Sequence, residues 1–147
     1  MKTYKFTIPD RMPGLNEYIT ANRTHQYAGA KFKKEHEGII IYAIRSQLKG
    51  IRIKDPVLVY YKFFEKDRRR DVDNIFSLAA KFIQDSLVAA GTLRDDNQKC
   101  ISHTYFDVFV DKKHPRIEVT LTELSLIQTA MTLEDLLIDL HGKKEGK

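Results

Sequence analysis

Residues 66–74 read KDRRRDVDN and set three arginines directly before two aspartates spaced by one residue. In an extended backbone, side chains at positions i and i+2 point to the same side, with Cα atoms about 6.5–7 Å apart. The carboxylates of Asp71 and Asp73 are therefore expected to converge on one hard cation. Magnesium and manganese prefer oxygen ligands, and metal centres for phosphoryl chemistry use several acidic side chains. The spacing thus favours a site for one such cation, but two carboxylates are not enough for a two-metal centre.

Two further carboxylates, Asp95 and Asp96, follow in the segment RDDN. Between the two acidic segments, an apolar stripe predicts a helix over residues 74–90, followed by a glycine cap. A helix of that length spans about 25 Å, so these acids reach Asp71 only if the chain doubles back. A strand that pairs beside the strand before KDRRR would provide the return.

Ser77, Lys81 and Asp85 continue a polar stripe that begins over Asp73, each four residues from the next. Side chains at this spacing share one face of a helix. Lys81 is therefore expected on the side of the proposed metal site, about two turns into the helix. There it would hold a scissile phosphate or stabilise its developing charge. The alternative is an i,i+4 ion pair with Asp85.

Each acidic segment also has a purely structural interpretation. An aspartate or asparagine directly before a helix commonly caps it, with about 1 kcal/mol of stabilisation and no metal. The segment RDDN after a helix is typical of a turn. The arginines Arg68, Arg69 and Arg70 would equally form a solvated surface run. A cap needs only one aspartate, however, and two neighbouring acids repel unless cations relieve the repulsion.

Apolar periodicity predicts the elements that position these residues. The expected strands cover residues 3–8, 57–64, 103–110 and 116–124, with the last two as a hairpin. The expected helices cover 31–48, 74–90 and 132–140, and a polar loop covers 16–25. The fold class is α+β: a mixed sheet of about four strands packed with two main helices, in the order β-α-β-α-β-β, plus a short C-terminal helix. Residues 1–124 are expected to form the main domain, and 125–147 a helical extension with a charged tail.

Composition and charge limit the classes of function that the protein can have. The chain has 42% hydrophobic and 31% charged residues, as is typical of a globular protein. No apolar run approaches the ~20 residues that a bilayer span needs, so we expect a cytoplasmic protein. One cysteine excludes an internal disulfide, and no phosphate-binding glycine loop or nucleophile elbow is present. Residues 1–54 hold eleven Lys and Arg against four acids, which favours an anionic partner such as nucleic acid. Lys34, Arg45 and Lys49 share one helical stripe there, as phosphate contacts or as a solvated face.

The central segment resembles the RusA-like Holliday junction resolvases, endonucleases common in phages and prophages. The shared pattern is RRRDVDN, KFIQDSL, AAG and DDNQ over about residues 66–98, and TIPDRMPGLNEYI at 7–19 is similar to the family's opening strand and turn. The resemblance implies that Asp71, Asp73 and Asp96 are magnesium-binding catalytic acids, with Asp95 adjacent, and that Lys81 is the catalytic-site lysine. The family lysine commonly follows the second aspartate by four residues, where this chain has serine.

The resemblance also implies a homodimer that uses Mg²⁺, with Mn²⁺ as a substitute, to resolve four-way DNA junctions by paired hydrolysis. Such an enzyme serves recombination, repair or phage DNA processing in a bacterial cell or phage-infected host, without a membrane partner. The arginine run and the stripe on the first helix would hold phosphates. Two alternatives stay open: a junction- or branch-binding protein that does not cut, and a metal nuclease for other branched DNA or for RNA.

Overall fold

The computed structural model describes residues 2–10, 15–24 and 27–145. Within them it confirms the predicted α+β fold with a four-stranded mixed sheet. The described residues form five helices, two more than the sequence predicted. The elements are β1 (Thr3–Pro9), α1 (Leu15–Thr24), α2 (Ala28–Leu48), β2 (Val57–Glu65), α3 (Val72–Ala89), β3 (Ile101–Val110), β4 (Arg116–Glu123), α4 (Leu126–Thr129) and α5 (Leu133–Glu145).

The strands lie side by side in the order β1-β4-β2-β3. β2 and β3 are parallel, whereas β4 is antiparallel to both β1 and β2. The predicted hairpin of residues 103–110 and 116–124 is therefore wrong, because β2 lies between these strands. The connection crosses the end of β2, where the Asp111 N–H donates to the Glu65 carbonyl at 2.7 Å. The return of the chain beside β2, expected from the position of the acids, is confirmed.

The main core lies between one face of the sheet and helices α2 and α3. Each large apolar side chain that this interface buries stabilises the fold by about 1.5–3 kcal/mol. Tyr61 on β2 is fully buried, and its hydroxyl accepts a hydrogen bond from Gln84 of α3 at 3.0 Å. Burial raises the pKa of Tyr61 to about 12, so the hydroxyl stays neutral. These contacts fix α3, which carries the polar stripe, against the sheet.

Helix α3 has the apolar stripe that the sequence predicted, and Gly91 follows it with φ of +79°. This left-handed conformation is the one that favours glycine after a helix. The helix begins at Val72, two residues before the predicted start at Asn74. That difference changes the geometry of the two aspartates, as described below.

A helix, α1, occupies most of the region predicted as a polar loop over residues 16–25, so that prediction is wrong; residue 25 lies outside the described residues. The ring of Tyr18 packs 5.5 Å from Phe32 of α2 and 5.7 Å from Phe82 of α3. Short helices gain most of their stability from such tertiary contacts. The polar composition of the segment therefore hid its helix.

The predicted C-terminal helix is present as α5, and a short helix, α4, precedes it. Leu136 of α5 is fully buried with Leu58 and Leu124 on the second face of the sheet. α4 begins with a reciprocal capping box between Ser125 and Gln128. The division at residue 124 into a domain and an extension stays a prediction. None of the helices in the described part of the chain has the length and apolarity needed to cross a membrane.

Candidate metal and nucleic-acid site

Asp71 occupies the N-cap position of α3, with φ −65° and ψ 147°, but its side chain makes no capping hydrogen bond. Its carbonyl oxygen instead accepts the Ile75 N–H at 3.1 Å, which starts the helix. The carboxylate is exposed at the positive end of the helix dipole, where an anion is stabilised. Asp71 therefore stands in the cap position without using its side chain as a cap.

Asp73 is already in the first turn of α3, so the extended geometry assumed for the pair is wrong. Side chains two apart on a helix do not face each other. The Oδ1 atom of Asp73 accepts a hydrogen bond from the Ser77 hydroxyl at 2.8 Å. Both aspartates remain exposed at the same helix end. Their assignment as metal ligands stays a prediction that no longer rests on convergence of extended side chains.

The three arginines before α3 divide into two environments. Arg70 donates two hydrogen bonds to Glu65, at 2.7 Å from Nε and 2.8 Å from Nη2. The side chains of this pair are only 12% and 3% exposed. Arg68 is exposed, and Arg69 is 89% exposed with its Nε 3.7 Å from Asp67. Arg70 is thus committed to the fold, whereas the other two point to solvent beside the aspartates.

Lys81 lies further along α3, about 12 Å from Asp73 along the helix axis. Its Nζ atom is 3.4 Å from Asp85 and 4.0 Å from Asp96. The chain therefore doubles back after α3, as predicted, and brings Asp96 to Lys81. The i,i+4 pair with Asp85, the alternative interpretation from the sequence, is present. The catalytic roles of Lys81 and Asp96 stay predictions.

Asp95 takes part in the turn that carries Asp96. Its carboxylate accepts hydrogen bonds from the Asp96 N–H at 2.7 Å and the Asn97 side chain at 2.8 Å. A carboxylate that accepts hydrogen bonds from the residues that follow it is typical of turns. The turn interpretation of RDDN therefore describes these contacts, and the role of Asp95 as a metal ligand stays a prediction.

Two residues of α2, Lys33 and Glu37, also belong to this surface, although sequence reasoning did not select them. The Nζ atom of Lys33 is 3.2 Å from Asp85. The Oε2 atom of Glu37 is buried with no hydrogen-bond partner among the described residues. Burial raises the pKa of Glu37, and the negative charge of Asp85 adds to this, while Lys33 and Lys81 oppose it. Only the packing of α2 on α3 distinguishes these residues from other charges on α2.

The predicted basic stripe (Lys34, Arg45 and Lys49) lies exposed on α2. Lys49 follows the helix in the left-handed conformation, with φ of 51°, and its N–H donates to the Arg45 carbonyl at 3.1 Å. No described contact decides between a phosphate-binding role and a solvated face. The stripe stays a predicted contact surface for nucleic acid.

The described residues contain no group of three or more His, Cys, Asp or Glu side chains placed to hold a metal ion. The three-acid centre expected from Asp71, Asp73 and Asp96 is therefore not assembled within the described part of one chain. Mg²⁺, however, is commonly held by one or two carboxylates together with water and substrate phosphates. The pair at the start of α3 is suited to that kind of site by its ligand chemistry and exposure.

Comparison with known proteins adds no family assignment, since no family model matches the chain and no curated protein is significantly similar to it.

Proposed function

We propose that the protein is a Mg²⁺-dependent, structure-selective endonuclease that cleaves four-way DNA junctions, similar to the RusA-like resolvases. The observation that carries this proposal is the carboxylate of Asp71, which stands at a helix N-cap without capping it. Asp73 lies in the same helix end, and two exposed arginines precede it. An exposed acid whose side chain makes no capping hydrogen bond, beside cations that face solvent, is suited to bind a metal and a phosphate together.

In the proposed reaction Asp71 and Asp73 would hold the ion, and the Ser77 hydroxyl orients the Asp73 carboxylate through its hydrogen bond. Bound Mg²⁺ would supply activation of water and neutralisation of phosphate charge. Arg68 and Arg69 would hold phosphates of the strand, which positions DNA without reading its sequence. Hydrolysis is expected to leave a 5′ phosphate and a 3′ hydroxyl.

We also propose that the protein acts as a homodimer, because resolution of a junction with approximate two-fold symmetry needs paired nicks. The sheet offers a surface for a second copy at the edge formed by β3. Val108, Phe109 and Val110 at the end of this strand are 36%, 42% and 47% exposed. An apolar edge strand of this kind readily pairs with another chain.

A second candidate is a junction- or branch-binding protein that does not cut. The observation that favours it is the missing three-acid group in the described part of the chain. In that case Lys81 and Asp96 would form only an ion pair, and the basic stripe would supply the affinity. A nuclease for other branched DNA or for RNA is the remaining alternative.

Cleavage of labelled substrates distinguishes these functions. The protein is incubated with a four-way junction, a replication fork, a matched duplex and an RNA stem, each with Mg²⁺, with Mn²⁺ and with EDTA. The proposal predicts metal-dependent paired nicks in the junction and little cutting of duplex or RNA. Tight junction binding without nicks under any metal condition would support the binding protein instead. Preferential cutting of the fork or of the RNA would show that the protein is a metal nuclease for that substrate and not for four-way junctions.

A further inference from the structure

We infer that Lys33 and Glu37 of α2, with Asp85 of α3, form a charge network that positions Lys81 beside Asp96. The inference rests on the proposed function for its purpose, because Lys81 would then meet the phosphate from a fixed place. It makes α2 the second wall of the site, although neither Lys33 nor Glu37 contacts the proposed metal ligands at the start of α3. These two residues are positioning residues and not catalytic ones.

Five side chains of alternating charge form a line across the interface between α2 and α3: Glu37, Lys33, Asp85, Lys81 and Asp96. Asp85 is shared by two lysines, with Lys33 at 3.2 Å and Lys81 at 3.4 Å. Lys81 in turn reaches Asp96 at 4.0 Å. Glu37 lies one helical turn after Lys33 and interacts electrostatically with it. Each of the two lysines therefore interacts with two acids.

Burial separates the Lys33–Asp85 pair from ordinary surface pairs. The Lys33 and Asp85 side chains are 39% and 23% exposed. The pair of Lys31 and Glu35 on the same helix is 79% and 61% exposed, with its atoms 4.0 Å apart. Partly buried ion pairs are screened less by solvent than exposed ones. The exposed pair consequently provides a matched control within α2.

The position of the Glu37 carboxylate is unfavourable for the stability of the fold. Burial of its carboxylate outweighs the attraction of Lys33 and Lys81, because the pKa of Glu37 is raised. Its Oε2 atom has no hydrogen-bond partner in the described residues. Local arrangements that do not favour stability tend to occur at functional sites. The Glu37 carboxylate interacts electrostatically with Lys33, Asp85 and Lys81.

The geometry gives each residue a separate task. Lys81 is 62% exposed and has a long flexible stem, so a single acid would leave its ammonium mobile. Its Nζ atom lies near two acids, Asp85 at 3.4 Å and Asp96 at 4.0 Å. Lys33 limits the motion of the shared Asp85 carboxylate, and Glu37 limits the motion of Lys33. Loss of Lys33 should therefore loosen Lys81 without removing any group that contacts DNA at the reacting phosphate.

The first test measures the mobility of Lys81 without any substrate. The NMR order parameter of its ε-methylene group is expected to exceed that of Lys31 in the wild-type protein and to fall to the Lys31 level in Lys33→Met and Asp85→Asn. Lys31→Met should leave the Lys81 value unchanged. Equal mobility of Lys81 in wild type and Lys33→Met would overturn the inference, whatever the protein does to DNA.

The second test uses junction cleavage under single-turnover conditions. Lys33→Met is expected to lower the rate about tenfold in the wild-type background and to have no further effect in Lys81→Met, because residues that act through one group are not additive. Lys33→Arg should restore most of the rate, and junction affinity should stay unchanged. The same fractional loss in both backgrounds would overturn the inference. Rigid Lys81 in a protein that cuts no junction would instead contradict only the proposed function.

Discussion

Replacing Arg70 with methionine is expected to destabilise the whole fold more than any other change in the arginine run. The guanidinium donates two hydrogen bonds to Glu65, and the side chains are 12% and 3% exposed. Without Arg70, Glu65 keeps a buried charge and loses both of these bonds. Removing one partner of a buried ion pair typically costs about 3–5 kcal/mol.

For a protein of 147 residues this loss is large. One kcal/mol lowers the melting temperature of a domain near this size by about 2–4 °C, so Arg70→Met should lower it by roughly 10 °C. The double variant Glu65→Leu, Arg70→Met removes both charges and should regain most of the stability. Arg70→Lys should be intermediate, because an ammonium cannot form the bidentate contact.

Urea denaturation measures these effects as free energies of unfolding, with Arg69→Met as the control. Arg69 is 89% exposed, so its replacement should change stability by less than about 0.5 kcal/mol. Junction affinity of the folded fraction should fall for Arg69→Met and not for Arg70→Met. If Arg70→Met is as stable as Arg69→Met, or the double variant is the least stable of all, the structural role given to Arg70 is wrong.

Three further predictions concern other parts of the molecule. Glu37→Gln should be more stable than wild type at pH 7, because burial raises the pKa of the folded Glu37 carboxyl above its ordinary value of 4.5. The difference should shrink as pH falls through the raised pKa toward 4.5 and stay small below it; thermal unfolding at pH 7 and at about pH 4 measures this. Val110→Lys should convert the proposed dimer to a monomer in light scattering, because a charge would lie at the 47% exposed apolar edge. Replacing all three residues of the basic stripe with glutamine should weaken junction binding and reduce the salt slope by up to about 3, as measured by binding titrations at several salt concentrations.

Each of these outcomes has a clear opposite. A stability gap for Glu37→Gln that widens with acid would contradict the burial effect on its carboxyl. A dimer that survives Val110→Lys but is lost with the control Ile127→Lys, at a position 76% exposed on α4, would place the interface elsewhere. An unchanged salt slope would make the basic stripe a solvated face.

Apolar periodicity in the sequence was enough to predict α3, α5, β1, β3 and β4. The β-branched and aromatic residues of 57–64 were enough to predict β2. Alternation along a strand identifies its buried face but not its neighbour. The hairpin prediction therefore failed even though β3 and β4 lie close to their expected bounds. The short connection suggested direct pairing, whereas α3 returns the chain parallel to β2 and β4 enters on the far side.

The sequence was a better guide to which residues lie near the candidate site than to how these residues are arranged. Four-residue spacing correctly indicated the i,i+4 pair of Lys81 with Asp85. It also placed Ser77 on the same helix face as Asp73, where the two side chains form a hydrogen bond that was not predicted. The start of α3 at Val72 could not be predicted from residue types, because aspartates are common both at helix N-caps and in the extended segment before a helix. The pairing of Arg70 with Glu65 depends on which side of β2 is buried at its last residue. Long-range contacts of this kind are visible only in three dimensions.

Single-turnover cleavage of a four-way junction by Asp71→Asn tests the central claim most directly. Asp67→Asn is the matched control, because Asp67 lies in the same segment but hydrogen-bonds to the Arg69 N–H at 3.0 Å. If Asp71 holds the metal, its replacement should lower the Mg²⁺-dependent rate by more than about a hundredfold. A loss of that size exceeds the one usual for residues that only orient a metal ligand through a hydrogen bond. Asp67→Asn should retain most of the activity. Equal rates for wild type and Asp71→Asn would contradict the account.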